Sequence, residues 1–439
     1  MFVAKYAKDQ LMKSINTIIE NREQFVVNPE TDFTRKSKLS LRNTMGIVLS
    51  MTNSSLEKEL YDYIKRYKTE FTVSAFVQRR SQIKPEAFQN VLGTFTKTLF
   101  APKIFNGYML YAVDGTKLNI AHNPNDLDTY FVNQKDSKGY NQLHINALYD
   151  LNNKTYVDCV IQPGKKMNEH QALCEMVGRL SFPRKTIIIA DRGYESFNNF
   201  ATLLEKPNVD FVIRTKHGKS AIKEIEKLPM EELDQTITLE ITTTQTNEDK
   251  RLGRHFIQIG SKKGKRNSAN TVISTWNFPS PYRMTLRVVR LLLSNGKYET
   301  LITSLPASEF SIEDMRKLYA KRWEIETSFR HLKYPCGLIY LHSKKKELIH
   351  QEIYATLIIY NYCHFIAAAV VVPQKDRAYL YKINFTMAIK ICRENLKYNE
   401  PPDSLIQDIG RYTEPIRPER ADLRKLNAKK FVHFLYRAA

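Results

Sequence analysis

Between Tyr108 and Arg214 the chain spells out three short strands and then helix, strand, helix, strand, an order that few architectures accept. Tyr108–Val113, Gln142–Tyr149 and Thr155–Gln162 are rich in β-branched and aromatic residues and are separated by turn-forming ones. Glu169–Leu180 carries helical periodicity, Thr186–Ala190 is wholly apolar, Phe197–Leu204 is helical again and Val209–Arg214 is a fifth strand. Such an order predicts an α/β mixed sheet covered by helices on its faces. Asp114 and Asp191 each follow the last apolar residue of an expected strand. That is the edge where open α/β sheets place their sites.

Residues 1–105 read as a helical domain, with amphipathic pieces at Lys38–Met51, Ser54–Tyr67 and Thr72–Ile83 and a further helix from Pro85 to about Phe100. Thr72 is suited to cap a helix, and Pro85 to open one. The run TVSAFVQRRSQIKPEAFQNVL has a helix–turn–helix rhythm with Arg79, Arg80 and Lys84 between its apolar positions, a pattern shared by nucleic-acid readers and by plain helical hairpins. After a first part of the α/β core at 106–215, residues 216–305 form a β-rich insertion. Its expected strands are Thr236–Thr244, His255–Ile259, Met284–Leu293 and Glu299–Thr303, with a basic turn, SKKGKR, among them. Helices return at Ser311, so 306–400 is the second, helical part of the core, and 401–439 is a basic tail with Arg417, Arg420, Arg424, Lys425, Lys429 and Lys430. The apolar stretch from Ile353 to Val372 nearly reaches membrane-spanning length, but Asn361, His364 and three tyrosines within it favour a helix buried in a large soluble core.

Sixty-seven basic against 46 acidic side chains leave a net charge of +21. That excess favours a polyanionic partner, nucleic acid before an anionic membrane. Five cysteines without CxxC spacing argue against a disulfide framework or zinc ribbon and fit a reducing cytoplasm. The N-terminal stretch lacks the apolar core of a secretion signal.

The segment LYAKRWEIETSFRHLK places Tyr319, Arg322, Glu326 and Lys333 on one expected helix. At roughly 100° per residue these four fall within an arc of about 60°, beside an apolar stripe of Leu318, Ile325, Phe329 and Leu332. Asp114, Asp191 and Glu326 would then offer three carboxylates from three elements, the donor set preferred by hard cations such as Mg²⁺. Two such ions, about 4 Å apart, suit phosphoryl transfer, with Asp114 bridging both, Asp191 holding one and Glu326 the other. Arg322 and Lys333 suit phosphate oxygens, and Tyr319 could orient one.

With these motifs assembled, the chain resembles the IS4 family of bacterial insertion-sequence transposases, within the DDE transposases. The resemblance rests on Asp114-Gly115-Thr116, on Asp191-Arg192-Gly193-Tyr194, and on Tyr319, Arg322, Glu326 and Lys333 at the family's spacing. The long gap between Asp191 and Glu326 matches the β-strand insertion of that family. The resemblance implies a ribonuclease-H-like core binding two Mg²⁺ ions, with Mn²⁺ as a substitute. It implies cleavage at element ends and strand transfer into target DNA. The expected partners are double-stranded DNA, terminal inverted repeats and a second protomer in a synaptic complex. The expected setting is the cytoplasm and its nucleoid, with no membrane partner. It also marks Arg214 as a basic DNA contact and Trp276 as one candidate platform for a flipped base, although a buried or edge Trp in the sheet is the more common reading; Trp323 reads as a packing residue, and Lys262, Lys263, Lys265 and Arg266 as either phosphate contacts or a solvated loop. A ribonuclease-H-like nuclease or resolvase without strand transfer, and an inactive domesticated DNA-binding protein, are the alternatives.

Overall fold

The computed structural model describes residues 2–99, 103–132, 138–215, 222–259, 275–374, 378–398 and 404–417. Six helices come first: α1 (Phe2–Glu20), α2 (Arg22–Phe25), α3 (Leu41–Ser50), α4 (Leu56–Tyr67), α5 (Val73–Ser81) and α6 (Pro85–Leu99). Side chains of Ser40, Ser55 and Thr72 accept the amides that α3, α4 and α5 leave open at their starts. The core follows as β1 (Met109–Ile120), β2 (Tyr130–Phe131), β3 (Tyr140–Asp150), β4 (Thr155–Pro163), α7 (Glu169–Arg179), β5 (Thr186–Ala190), α8 (Phe197–Leu204) and β6 (Val209–Arg214). Next come α9 (Lys223–Glu226), β7 (Leu233–Thr242), α10 (Asn247–Arg251), β8 (His255–Phe256), β9 (Tyr282–Leu292) and β10 (Tyr298–Thr303). The rest is α11 (Ile312–Ala320), α12 (Trp323–Lys333), α13 (Lys346–Ala367), β11 (Tyr381–Ile383), α14 (Phe385–Tyr398), α15 (Leu405–Gly410) and β12 (Thr413–Pro415).

The central sheet runs β2-β3-β1-β5-β6-β10-β9-β7-β8, with β4 also paired to β3. Strand β3 runs antiparallel to both β1 and β4, whereas β1, β5 and β6 are parallel. The order β4-β3-β1-β5-β6 is the ribonuclease-H-like arrangement expected from the sequence. Strand β1 departs from expectation in length: it continues through Asp114 to Ile120, so Asp114 does not end it. What ends there is the parallel ladder, whose last pair is Val113–Ala190; from Asp114 onward β1 pairs with β3. The strands of the insertion extend this same sheet, β10 adding antiparallel to β6, β9 to β10 and β7 to β9. The SKKGKR segment and the tail beyond Arg417 lie outside the described residues.

Alternation along the strands divides the interior in two. Leu110, Ala112, Ile187, Ile189 and Val212 join one apolar core with α6 and α11 to α13, while Val113, Ile188, Ala190 and Ile213 join another with α7 and α8. Helix α13 is buried along nearly its whole length, and Asn361 within it donates to Thr96 and to the Tyr156 carbonyl. No described helix is long and apolar enough to cross a membrane. Of the three cations in the helix–turn–helix run, Arg80 serves packing. That side chain is 1% exposed and donates to Gln351, the Leu348 carbonyl and Glu352, which fastens α5 to α13.

Candidate active site

Register brings the two aspartates together. The parallel ladder of β1 and β5 closes on Val113–Ala190, and the next residues along the two strands are Asp114 and Asp191. Because side chains alternate, both point to the face of Ala112 and Ile189, over which α12 packs. Each carboxylate folds back on its own backbone, Asp114 accepting from the Gly115 amide at 2.8 Å and Asp191 from the Arg192 amide at 2.7 Å.

Helix α12 is seated by Ile325, Phe329 and Leu332, all buried, each contributing roughly 1.5–3 kcal/mol through burial. This leaves Glu326 facing the aspartates. The expected single helix is in fact two. Ala320 ends α11 and Trp323 begins α12, and the joint is a tight turn in which the amides of Lys321, Arg322, Glu324 and Ile325 each bond the carbonyl three residues back. Residues three apart eclipse in such a turn, so Arg322 lies over Tyr319, its guanidinium carbon 5.7 Å from the ring centroid. Trp323, expected to pack the helix, is 51% exposed; its ring lies 5.1 Å from the same guanidinium.

Arg322 is the hub of the site. It is 3% exposed, and its guanidinium lies 3.6 Å from Asp114 and 3.1 Å from Glu326. Burial opposes its charge, yet Tyr319, Asp191, Asp114 and Glu326 together raise its pKa. Burial pushes the Asp114 carboxyl up to about 6; the Gly115 amide and Arg322 work against this, while Glu326 and Asp191 reinforce it. The other two expected carboxylates thus both act on Asp114. Among the described residues no three acidic, histidine or cysteine groups already stand as a closed metal cluster. Asp114 and Glu326 meet instead across the Arg322 guanidinium. The donor set still fits a hard divalent cation, being all carboxylate oxygen with excess negative charge. Two buried polar atoms beside it, the Tyr319 hydroxyl and Arg322 Nε, have no hydrogen-bond partner.

Arg214 ends β6 on the same face and forms an ion pair with Glu299 of β10 at 3.1 Å. Glu299 was not singled out from the sequence. Burial raises its pKa, Arg214 and Arg322 lower it, and Asp191 raises it, so it belongs to the same electrostatic group. The available signal was a single acid near the start of a short strand with no other charged residue. Tyr194 of the second motif is buried on the opposite face, where its hydroxyl donates to Asn146 at 3.0 Å. Lys333 ends α12, partly buried, and burial lowers its pKa. Trp276 lies on the α7–α8 face: its indole donates to the Pro279 carbonyl, its ring packs with Phe278 and Tyr282, and the neighbouring Asn277 amide donates to Asn198. Those contacts are not with the three carboxylates. Lys262, Lys263, Lys265 and Arg266 fall outside the described residues.

Over 69 residues the chain is 41% identical to the transposase InsG of insertion sequence element IS4 from Escherichia coli K12, covering 15% of this chain and 16% of that protein. Over 88 residues it is 36% identical to the putative transposase InsL of element IS186A from the same strain, covering 20% and 24%. The matched stretches therefore span about a quarter or less of these relatives. A cryo-EM structure of the piggyBac transposase synaptic complex with hairpin DNA aligns with 94% of this chain and 87% of that one, at 13% identity and a TM-score of 0.43. The model of the transposase DDE domain matches residues 106–362, from just before β1 into α13 and across all three carboxylates, and the chain belongs to that family.

Proposed function

We propose that this protein is a DNA transposase that cleaves DNA at the ends of its element and joins them to target DNA in a divalent-metal-dependent reaction. The observation that carries the reading is the convergence of Asp114 and Asp191, in register on neighbouring parallel strands, with Glu326 of α12 across Arg322. Asp114, Asp191 and Glu326 would hold the cations, two Mg²⁺ in this reading. Bound there, such ions supply Lewis-acid charge that activates an attacking water or 3′-hydroxyl and offsets charge on the leaving oxygen.

The chain's own residues do the rest. The parallel ladder fixes the spacing of the aspartates, and the buried stripe of α12 sets the reach of Glu326. Arg322 neutralises the carboxylates before metal and DNA arrive, then turns its donors to a phosphate oxygen. Lys333 serves as a second phosphate contact, and the Tyr319 hydroxyl, buried without a partner, orients an oxygen near the scissile bond. Arg214, held by Glu299, supplies positive charge along the DNA path, and Trp276 remains a candidate stacking surface. Terminal inverted repeats, target DNA and a second protomer complete the proposed assembly, with the helical 1–105 segment and the basic 401–439 tail adding affinity for the polyanion.

The test is Glu326→Gln in the full chain, assayed on DNA carrying the element ends. It is expected to abolish Mg²⁺-dependent cleavage and strand transfer while end binding persists. Surviving cleavage would remove Glu326 from the site, and cleavage without 3′-hydroxyl joining in the unmodified protein would reduce the activity to that of a nuclease.

A further inference from the structure

Both aspartate motifs carry a glycine that faces one acidic side chain. A Cβ on Gly115 would stand 2.8 Å from Glu169 Oε1, and a Cβ on Gly193 would stand 2.6 Å from Glu169 Oε2. At Gly115 the His144 imidazole stands closer still to such a Cβ, so ring and carboxylate share the space that this glycine leaves, whereas at Gly193 the carboxylate fills it alone. Neither glycine adopts a positive φ, so backbone conformation does not demand glycine at these positions. The approach of Glu169, joined at Gly115 by the His144 ring, leaves no room for a Cβ as the side chains stand.

Glu169 opens α7, on the sheet face opposite α12. Asn168 caps that helix through the Gln171 amide, which fixes where the first turn begins. Behind Glu169 stands His144 of β3, 4% exposed, its Nε2 lying 3.1 Å from Glu169 Oε1. That approach is close enough for an ion pair but is not aligned as a hydrogen bond. Neither ring nitrogen of this buried imidazole has a hydrogen-bond partner. The charge of Glu169 reaches the same ground as the aspartates: the buried Tyr194 phenol, raised first by burial, is raised further by Glu169, Asp114 and Asp191. An acid only 29% exposed, aimed at the backbone between the two aspartate motifs and with a buried histidine behind it, has no packing purpose that a glutamine would not serve equally well.

Building on the metal-dependent reading above, we propose that Glu169 is a fourth carboxylate of the cation site, reaching the two aspartates from behind through the gap left by Gly115 and Gly193, with His144 as the residue that positions it. Its part is to add negative charge and hydrogen-bond acceptors at the hydration shell of a bound divalent cation. Outer partners of this kind typically change metal affinity by about 10–100-fold.

The experiment is Mn²⁺ binding to the purified full chain without DNA, followed by electron paramagnetic resonance of the free ion. The proteins compared are the unmodified chain, Asp191→Asn, Glu169→Gln, Glu169→Asp and Gly193→Ala. Thermal unfolding in a chelator reports whether each variant is folded. Glu169→Gln keeps the shape and loses the charge, and a loss of about 10-fold or more in Mn²⁺ affinity at unchanged unfolding temperature is expected. Glu169→Asp should recover part of it, and Gly193→Ala, which displaces the carboxylate, should lose affinity in the same direction. If Glu169→Gln binds like the unmodified chain while Asp191→Asn does not, Glu169 has no part in the site and only this inference fails. If Glu169→Gln does not fold, Gly193→Ala decides: undiminished affinity there overturns the proposal. Absence of Mn²⁺ binding by the unmodified chain would instead overturn the three-carboxylate reading on which the proposal rests.

Discussion

Replacing Arg322 with methionine keeps an apolar stem to pack on Tyr319 and Trp323 but removes the only guanidinium that contacts both Asp114 and Glu326 among the described ion pairs. A hydrogen bond to a charged group contributes about 1.5–3 kcal/mol. The carboxylates are 21% and 33% exposed, and the contact to Asp114, at 3.6 Å, is long. Solvent screening therefore favours the lower part of that range, and a net loss of about 2 kcal/mol is expected without metal. At roughly 2.1 cal/mol/K per residue, a chain of this length unfolding as one unit changes its midpoint by about 1 °C per kcal/mol. Differential scanning calorimetry in a chelator should therefore show Arg322→Met about 2 °C below the unmodified protein. The second arm is Mg²⁺. With the guanidinium gone, a cation is the remaining means of offsetting three negative charges, so added Mg²⁺ should raise the midpoint of the variant by more than it raises that of the unmodified chain. Saturation at 100 times the dissociation constant corresponds to about 2.7 kcal/mol. Equal midpoints in chelator together with equal responses to Mg²⁺ would refute the role given to Arg322.

Other expectations follow from the frame that holds the site. Arg80→Met leaves Glu352 buried and short of a cation, and should cost about 3–5 kcal/mol in a denaturant titration while DNA affinity of the folded protein is unchanged; a loss of affinity without a loss of stability would restore Arg80 as a DNA contact. Glu352, though burial opposes it, is held down at about 2 by Arg80 and His342, so its share of stability is complete above its ordinary value of 4.5 and disappears as pH falls toward about 2. Over that window it amounts to about 3 kcal/mol, and Glu352→Gln should flatten the acid limb of a stability–pH curve by that amount.

Much of the core was legible in the sequence because its strands are apolar runs with turn residues at both ends. Thr186–Ala190, Phe197–Leu204 and Val209–Arg214 carry the bounds read from the sequence. What escaped was decided by partners distant in the chain. Gly115 and Thr116 look like a turn after Asp114, yet they remain in β1 because β3 offers Asn146 and Ile145 opposite them. The joint between α11 and α12 falls among ordinary helix formers and shows itself only in bonds to the third residue back. Arg80 looked like a surface cation because its partners, Gln351 and Glu352, lie some 270 positions later in the chain. The insertion strands could be counted, but not that β10 would pair with β6 and carry Glu299 beside Arg214. The two aspartates and the glutamate could be proposed as a set because each sits in a recognisable motif, whereas Glu169 and His144 belong to no such spacing and are evident only where two glycines make room.

The most direct measurement is a crystal structure of the protein grown with Mn²⁺ and recorded at a wavelength where manganese scatters anomalously. The account requires anomalous peaks coordinated by carboxylate oxygens of Asp114, Asp191 and Glu326, with the Arg322 guanidinium displaced from between Asp114 and Glu326. Manganese bound elsewhere, with those three side chains left as they are without metal, would contradict it.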